Sequence, residues 1–365
     1  MPVSPDLARE LAEAVRAIYE DATTKMIAAI AEQVAAGIQD EGRADMQLES
    51  YLRLIQRLDI IIDELRRGVP GAVERAIAVA YRRGSAVATK DAGDAGLPGA
   101  TVGAVASIGR TDAIIRLLSE AMRPHEEAIL QIRRQARDAY DRAVADAVAR
   151  MLTGAGTRFE AARDAVLDLM RSGVTTFVDK SGRRWDLASY AEMATRTSAG
   201  NAMVTGNVDR LVDMGEDLVI VSNAPEECKI CRQFEGEVLS VSGNTRGRLS
   251  DGTTVMGTVS EARREGLFHP NCRHSLSIYL PGVTEAPTRT ADPEGDKLRQ
   301  RQRAFERRVR EWKRRVAMDE AVLGKDHPTT KADRKKLRTA QADFKAWRDA
   351  NGRKNLSRRT NITVR

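Results

Sequence analysis

HPNCRHS, residues 269–275, is the stretch that decides the fold of the middle of this chain. It holds one of the three cysteines and two of the four histidines of a 365-residue protein. Another pair, Cys228 and Cys231, lies upstream in ECKIC, and 37 residues separate Cys231 from His269. A C-x-x-C turn directs two thiolates at one point, and structural zinc takes four such ligands in a tetrahedron. The two pairs together predict a structural zinc site, with HPNCRHS as its second half.

The ligand set of this site is open at one position. Cys228, Cys231 and Cys272 are the first three candidates, and the fourth is His269, with His274 as the alternative ligand. The histidine left over would hydrogen-bond a ligand or lie exposed. Three buried cysteines without a metal are the competing interpretation, because one C-x-x-C pair with a distant second pair is a weaker pattern than two C-x-x-C pairs.

Two other cysteine chemistries fit this pattern less well. A redox C-x-x-C pair is expected inside a thioredoxin-like βαβ unit, and the sequence around Cys228 lacks that pattern. A nucleophilic Cys272 with His274 as its base is disfavoured, because residues two apart rarely meet in the required geometry. We therefore predict no catalytic role for these residues.

Around the two pairs, residues 172–285 are predicted to form a small α+β domain. β-branched and aromatic residues flank Ser181-Gly182, which is typical of a hairpin. Such a small domain has a thin core, so bound zinc would stabilise it. A Pro/Gly-rich linker, YLPGVTEAPTRTADPEG, follows. Periodicity predicts a helix at 188–206 and short strands at 217–223, 235–241 and 252–257.

The front of the chain is predicted to be helical. Ser4, Pro5 and Asp6 form a helix start, and apolar residues at helical spacing continue toward Gly37. A second helix is expected to stop at Gly68 and Pro70. A third would cover 71–84, and two more would cover about 110–150 and 157–171. The predicted segments are an N-terminal helical region at 1–90, a Gly/Ala-rich hinge at 91–108 and long helices at 109–171.

Residues 286–365 are predicted to be a basic helical tail. They contain 24 Lys+Arg and 11 Asp+Glu, a net charge of +13, whereas the rest of the chain carries −6. Phe305, Trp312 and Trp347 lie at core-like spacing, so they are not interpreted as base-stacking residues. The positive charge indicates an anionic partner, such as nucleic acid or an acidic protein surface. The residues expected to make that contact are Arg301, Arg303, Arg307, Arg308, Lys313, Arg314 and Arg315.

Composition agrees with a mainly α fold that carries a small α+β domain. Aromatic residues are scarce at 4% and charged residues abundant at 30%, which suits long helices better than a thick sheet core. Three cysteines argue against a disulfide scaffold, and the N-terminus lacks the apolar region of a signal peptide. The longest apolar runs are too short to span a bilayer. We expect a protein made and kept in a reducing cytoplasm. The side chains of His125 and His327 are expected to be exposed.

Several stretches resemble one protein family. CKICRQFEGEVLSV at 228–241 and GLFHPNCRHSLSIYLPGV at 266–283 resemble the Cys/His block of phage minor capsid proteins, in the wider group of Mu F-type head morphogenesis proteins. FVDKSGRRWDLASYAEMATRT at 177–197 and QRQRAFERRVREWKRR at 300–315 resemble the flanking stretches of that family. The resemblance covers about 170–350, and the region 1–170 fits only in being helical.

The resemblance implies a structural role in a tailed phage or prophage. Proteins of this kind are minor head components that associate with the portal and act in head assembly. Partners would be the portal protein and capsid or scaffold proteins, with packaged double-stranded DNA as a further partner and no membrane. Localisation would be the virion, in the head interior or at the portal vertex, after synthesis in the bacterial cytoplasm. By position, Cys228, Cys231, His269 and Cys272 match the family's metal-ligand-like residues.

Two other classes of function stay open from the residues alone. One is an enzyme, such as an HNH-like nuclease or a transferase acting on nucleic acid, that uses the Cys/His block as its site. It is disfavoured because only one histidine is spare and HPNCRHS contains no acidic residue. The other is a host DNA-binding regulator, suggested by the basic tail. No helix-turn-helix or similar signature supports it.

Overall fold

The computed structural model describes residues 5–39, 44–97, 111–153, 176–178, 182, 184–270, 272–287 and 291–362. Two compact units are formed, each from three separate stretches of the chain. The first unit comprises Met1–Arg16, Val69–His125 and Ala191–Lys297. The second comprises Ala17–Gly68, Glu126–Tyr190 and Leu298–Arg365.

The chain begins with a long helix, α1, at Pro5–Gln39. Its buried positions alternate between spacings of three and four residues, which places them in one narrow stripe of the helix surface. The helix therefore follows from the pattern that predicted it, although it ends two residues beyond the expected Gly37. The positions of this stripe are Ala8, Ala12, Val15, Tyr19, Ala22, Met26 and Ala29, and Glu20 and Ile30 are buried beside it.

The next helix, α2, runs without interruption over Ala44–Asp94 and contains Pro70. The predicted stop at Gly68 and Pro70 is therefore wrong. Proline removes one backbone hydrogen bond and disfavours a helix interior. Here the apolar stripe continues on both sides, because Leu65, Val69 and Val73 are at most 1% exposed. Burial along the whole stripe outweighs the local cost of the proline.

Helix α3 covers Thr111–Leu152, and helix α4 covers Leu187–Asp213. In the first unit α2 and α4 approach closely at Gly84 and Gly206. A Cβ added at Gly84 would overlap the carbonyl of Met203, and one at Gly206 would overlap the carbonyl of Tyr81. The two glycines thus permit a helix crossing at backbone distance, next to a hydrogen bond of 2.7 Å from Tyr81 to Asp209.

The first unit contains one five-stranded mixed sheet among its described residues. Its order is β5-β6-β4-β3-β7, with β3 antiparallel to both neighbours and β4 parallel to β6. The expected strands near 217–223, 235–241 and 252–257 are present, whereas β5 and β7 were not predicted. The strands are β3 at Leu218–Val221, β4 at Val238–Ser240, β5 at Gly247–Arg248, β6 at Thr254–Thr258 and β7 at Leu276–Ile278. The expected hairpin is β1, Thr176–Val178, paired with β2, Arg184–Asp186, in the second unit.

Two short helices interrupt the sheet sequence, α5 at Lys229–Arg232 and α6 at Val259–Arg264. The core of this unit lies between one face of the sheet and the helices α2 and α4. Cys231 belongs to that core, and Cys228 and Cys272 pack at its edge. The cysteines are therefore held by the same packing that forms the sheet. Other members include Ala88, Ala92, Val204, Leu211, Val219, Phe234, Leu239 and Leu276.

The basic tail is a helical hairpin, with α7 at Pro293–Leu323 and α8 at Pro328–Ala350. Phe305 stacks on Phe344 with 5.8 Å between ring centroids and contacts Trp347 at 5.3 Å. Trp312 packs against the same cluster. The aromatic residues of the tail thus form its core, as their spacing predicted.

The predicted fold class, mainly α with a small α+β module, is confirmed. The division into five segments stays a prediction. Residues 91–94 of the predicted hinge end α2, and 98–108 lie outside the described residues. The predicted helix at 157–171 also lies outside them.

Candidate metal centre

The first cysteine pair is built by a single turn of helix. Cys228 is the N-cap of α5, and its Sγ accepts a hydrogen bond of 3.5 Å from the backbone N–H of Cys231. Asp, Ser and Asn commonly serve as N-caps, and here a sulfur has that role. The turn orients both sulfurs to one side, and Cys231 is only 1% exposed.

The second pair follows a backbone reversal. Phe268 has a φ of 62°, in the left-handed region that bulky residues rarely adopt. The next turn is closed by the backbone N–H of Cys272, which donates to the carbonyl of His269 at 2.9 Å. Arg273 then ties this turn to the first, since its Nη2 donates to the carbonyls of Pro225 and Glu226.

The five candidate side chains form two overlapping groups of donor atoms between the two turns. Cys231 Sγ lies 3.6 Å from Cys272 Sγ, and Cys228 Sγ lies 3.0 Å from His269 Nε2. Cys272 Sγ lies 3.4 Å from His274 Nδ1. Two triplets of donor atoms, each within 4.8 Å, share Cys231: one adds Cys228 and His269, the other Cys272 and His274. This cluster could hold a metal ion.

The contact between Cys272 and His274 corrects one expectation. Residues two apart were expected to keep their side chains from meeting, yet 3.4 Å separates the two atoms. The chain from Cys272 into β7 has no helical turn. In extended backbone, residues i and i+2 project to the same side. The spacing argument against a contact therefore does not hold in this segment.

The contacts within the cluster shift the pKa values of Cys272 and Cys231 in opposite directions. Its hydrogen bond with Cys231 lowers the pKa of Cys272 to about 4, burial opposes this shift, and His274 reinforces it. The pKa of Cys231 is raised, first by that same hydrogen bond and then by burial. Burial lowers the pKa of His274, but Cys272 and Glu235 outweigh it, so the pKa lies above its ordinary value. The thiolate is the form of cysteine that binds metal ions.

A buried carboxylate, which the sequence did not reveal, completes the cluster. Glu235 Oε1 lies 2.7 Å from His274 Nε2, and their side chains are 1% and 2% exposed. The same Oε1 accepts the backbone N–H of Ala224 at 3.0 Å. HPNCRHS contains no acid, but Glu235 reaches His274 from 39 residues away in sequence. No local spacing signals such a contact, since it depends on the sheet.

A second buried acid, Glu227, connects the first cysteine turn to the start of α7. Arg232 Nε donates to Glu227 Oε1 at 2.6 Å, and the backbone N–H of Asp292 donates to the same carboxylate at 3.1 Å. Burial raises the pKa of Glu227, but these donors outweigh it and hold the pKa below its usual value. Asp292 in turn accepts the N–H of Gly295 at 2.7 Å, as the N-cap of α7.

The donor set favours zinc on chemical grounds. Sulfur and imidazole nitrogen are the ligands of structural zinc, whereas magnesium and calcium prefer oxygen. Each histidine directs one ring nitrogen at a cysteine, and its other ring nitrogen faces an oxygen atom. For His269 this oxygen is the carbonyl of Pro270, at 2.7 Å, and for His274 it belongs to the carboxylate of Glu235. Such acceptors fix the ring of a metal-binding histidine. The residues therefore fit a zinc ion.

The seven basic residues expected to contact a partner all lie on α7. Four of them have an acidic neighbour: Arg314 lies 2.7 Å from Asp186, and the others pair with Glu306, Asp343 and Glu311. Burial lowers the pKa of Lys313. Arg301 and Arg307 are exposed and have no acidic partner among the residues that the structure describes. Some of the seven basic residues are therefore neutralised by acidic neighbours, whereas Arg301 and Arg307 have none among the described residues.

The two other histidines differ from expectation. His125 was expected to be exposed, but it is fully buried in α3, with Nε2 3.1 Å from Thr195 Oγ1. The charged residues around it on α3 concealed that burial. His327 was also expected to be exposed, but it is half-buried and its Nδ1 accepts the backbone N–H of Thr329 as the N-cap of α8.

Fold and site together define a class of protein: a mainly helical protein whose small sheet module carries a Cys/His cluster able to hold a metal ion. A family model described as Phage minor capsid protein 2 matches residues 3–348. The chain belongs to this family of phage minor capsid proteins, and the resemblance to that family is confirmed. The match also includes the front helices, whereas the resemblance seen in the sequence covered only about residues 170–350.

A relative supports the same role. A protein described as "Structural protein" from Lactococcus phage LL-H is 27% identical over 175 residues, which are 47% of this chain and 47% of that protein. The chain thus spans about half the length of this curated relative. No solved structure matches. Among the described helices, none is both long and apolar enough to cross a bilayer.

Proposed function

We propose that this protein is a portal-associated component of the phage head that acts in head assembly. Family membership implies a capsid role and a place in the virion, and association with the portal is the finer step proposed here. The proposal also includes capsid or scaffold proteins as partners. The long amphipathic helices α1 and α2 support it, because such helices suit binding to partner proteins. Chemical cross-linking of assembling heads, followed by peptide identification, tests which head protein lies next to them.

We further propose that the Cys/His cluster binds one structural zinc ion through Cys228, Cys231, Cys272 and one histidine. The observation that carries this proposal is the pair of sulfur and imidazole triplets that share Cys231 between two tight turns. A site closed by four protein ligands leaves no position for a substrate. Zinc quantified on the purified protein tests it, and one ion per chain is the expected result.

Contact of the tail with packaged DNA is proposed for α7. Arginine and lysine contact phosphates without reading the base sequence, so binding would weaken steeply with salt. Arg301 and Arg307 are the best-placed contacts, since both are exposed without an acidic neighbour in the described part of the chain. The other five predicted residues are partly neutralised or partly buried.

A salt titration tests the DNA contact. Arg301→Gln combined with Arg307→Gln should weaken binding to random double-stranded DNA. It should also reduce the slope of log K against log salt by about 2, roughly one for each lost phosphate contact. Fluorescence anisotropy is the measurement. The matched control removes two charges from α8, Lys331→Gln with Lys345→Gln, both of which already pair with aspartates. An equal loss of affinity in the control would remove α7 from the proposal.

A second candidate function is an enzyme that uses Cys272 as its nucleophile. The observation that favours it is the alignment of Cys272, His274 and Glu235, in which an imidazole lies between a sulfur and a carboxylate. Against it, Cys231 Sγ lies 3.6 Å from the same sulfur, which suits shared metal binding better than nucleophilic attack. Nicking of plasmid DNA with added magnesium or manganese discriminates the nuclease form of this alternative.

A further inference from the structure

Two histidines compete for the fourth ligand position, and their surroundings differ. His274 is enclosed, with 2% of its side chain exposed, whereas His269 is half-exposed. The Nδ1 atom of His274 faces Cys272, and its Nε2 atom faces Glu235. The Nε2 atom of His269 faces Cys228, and its Nδ1 atom faces the carbonyl of the next residue.

Glu235 determines which nitrogen of His274 is available to a metal. A carboxylate accepts hydrogen bonds, so the proton of His274 resides on Nε2 and the lone pair of Nδ1 is directed at the cysteines. The backbone N–H of Ala224 holds Oε1 of the same carboxylate from a third segment. Because the pair is buried, the orientation of the ring is fixed by the fold rather than by a local turn.

The position of Glu235 links the pair to the metal turns. It lies four residues after Cys231, where the chain leaves α5 and enters β4, while His274 lies just before β7. The hydrogen bond between them therefore connects the two halves of the cluster. By contrast, the acceptor of His269 lies in its own turn and connects nothing else.

We propose that His274 is the fourth ligand, through Nδ1, with Cys228, Cys231 and Cys272, and that Glu235 is the positioning residue that orients it. His269 is then an outer group that hydrogen-bonds Cys228, at 3.0 Å. This inference rests on the proposed zinc site. It reverses the expected order of the two histidines, in which His269 came first.

Cobalt substitution in the full-length protein tests the ligand. Co²⁺ bound by thiolates has charge-transfer bands whose intensity rises with the number of sulfurs, and d–d bands typical of tetrahedral sites. His274→Cys should keep one metal ion per chain and increase the charge-transfer intensity by about one third, because four thiolates replace three. His269→Cys should leave the spectrum as in the wild type. An unchanged spectrum in His274→Cys, or an increase in His269→Cys, would overturn the assignment.

Zinc affinity tests the positioning role. Glu235→Gln should weaken zinc binding about 10- to 100-fold, as loss of such outer hydrogen bonds does elsewhere, with one ion still bound at saturation. Glu265→Gln, which changes an exposed carboxylate close in sequence to the second turn, is the control and should bind like the wild type. Equal affinities of Glu235→Gln and the wild type would refute the role of Glu235. If the wild-type protein binds no zinc or cobalt, the proposed zinc site itself fails, which is a separate outcome.

Discussion

At the scale of single residues, the sequence predicted the cysteines and histidines of the cluster but not which other polar side chains are buried. The cysteines and histidines of the cluster were found from their spacing alone, because metal-binding turns have a local signature. Glu235 and His125 were not found, because each is buried by contacts with residues distant in sequence. A buried polar side chain is recognised by its partner, and the partner becomes visible only in the fold.

Loss of one cysteine should unfold the sheet module of the first unit. Cys228→Ser removes a proposed zinc ligand, whereas the serine hydroxyl can still cap α5, so the strands β3, β4 and β7 should lose protection by several kcal/mol through the loss of zinc. Hydrogen exchange with mass spectrometry measures this strand by strand. The portions of α1 and α2 in the second unit should keep their protection.

A neighbouring substitution controls for nonspecific damage. Met256→Ser changes a side chain on β6 that is 45% exposed, and its exchange should resemble that of the wild type. Unchanged strand protection in Cys228→Ser would show that zinc does not hold the module together.

His125 should make stability depend on pH. Burial lowers the pKa of His125 to about 4, from an ordinary value of 6.5. Because the unfolded chain then binds a proton more readily, the contribution of His125 is fully present above pH 6.5 and is lost as the pH falls from 6.5 toward 4. The loss should approach about 3 kcal/mol.

A double comparison isolates this effect from other titrating groups. Urea unfolding of the wild type and of His125→Gln, at pH 7.5 and at pH 4.5, gives two differences in the free energy of unfolding. The wild type should lose more stability on acidification than the variant, because glutamine does not titrate. Parallel losses would mean that His125 is not buried as a neutral side chain.

At the scale of helices and strands, periodicity predicted the long elements well. The apolar stripe of α1 and the aromatic stripe of α7 and α8 are packed as their spacing indicated. Two kinds of element were missed. Pro70 was interpreted as a helix end, although buried residues on both sides continue the helix. The strands β5 and β7 were also missed, and β5 has only two residues, too few for a periodic signal.

The crossing of α2 and α4 should be intolerant of a single methyl group. Gly84→Ala or Gly206→Ala would drive a Cβ into a backbone carbonyl of the facing helix, so the helices must separate. Each change should destabilise the protein by about 1–3 kcal/mol or more. Thermal unfolding followed by circular dichroism is the measurement.

Gly200 supplies the matched control on the same helix. Its Cβ would meet nothing within 4 Å, so Gly200→Ala should raise helix propensity and stabilise the protein by about 0.5–1 kcal/mol. If Gly84→Ala and Gly206→Ala were as stable as Gly200→Ala, the close crossing would be refuted.

At the scale of the whole molecule, charge and metal binding are separated along the chain. The metal cluster lies in the first unit, and the seven basic residues of α7 expected to contact a partner belong to the second. Net charge was readable from composition, whereas the pairing of individual arginines with acids such as Asp186 was not, because it depends on tertiary contacts. Family membership over residues 3–348 supports a phage capsid role, and the proposed partners are the portal and the packaged DNA.

Quantitative mass spectrometry of purified heads tests the central claim most directly. Heads from the phage or induced prophage that encodes this chain should contain it at a small fraction of the copy number of the major capsid protein, as expected for a minor capsid component. Empty and DNA-filled heads should be compared in the same experiment. Absence of the chain from both kinds of head would contradict its assignment to the virion.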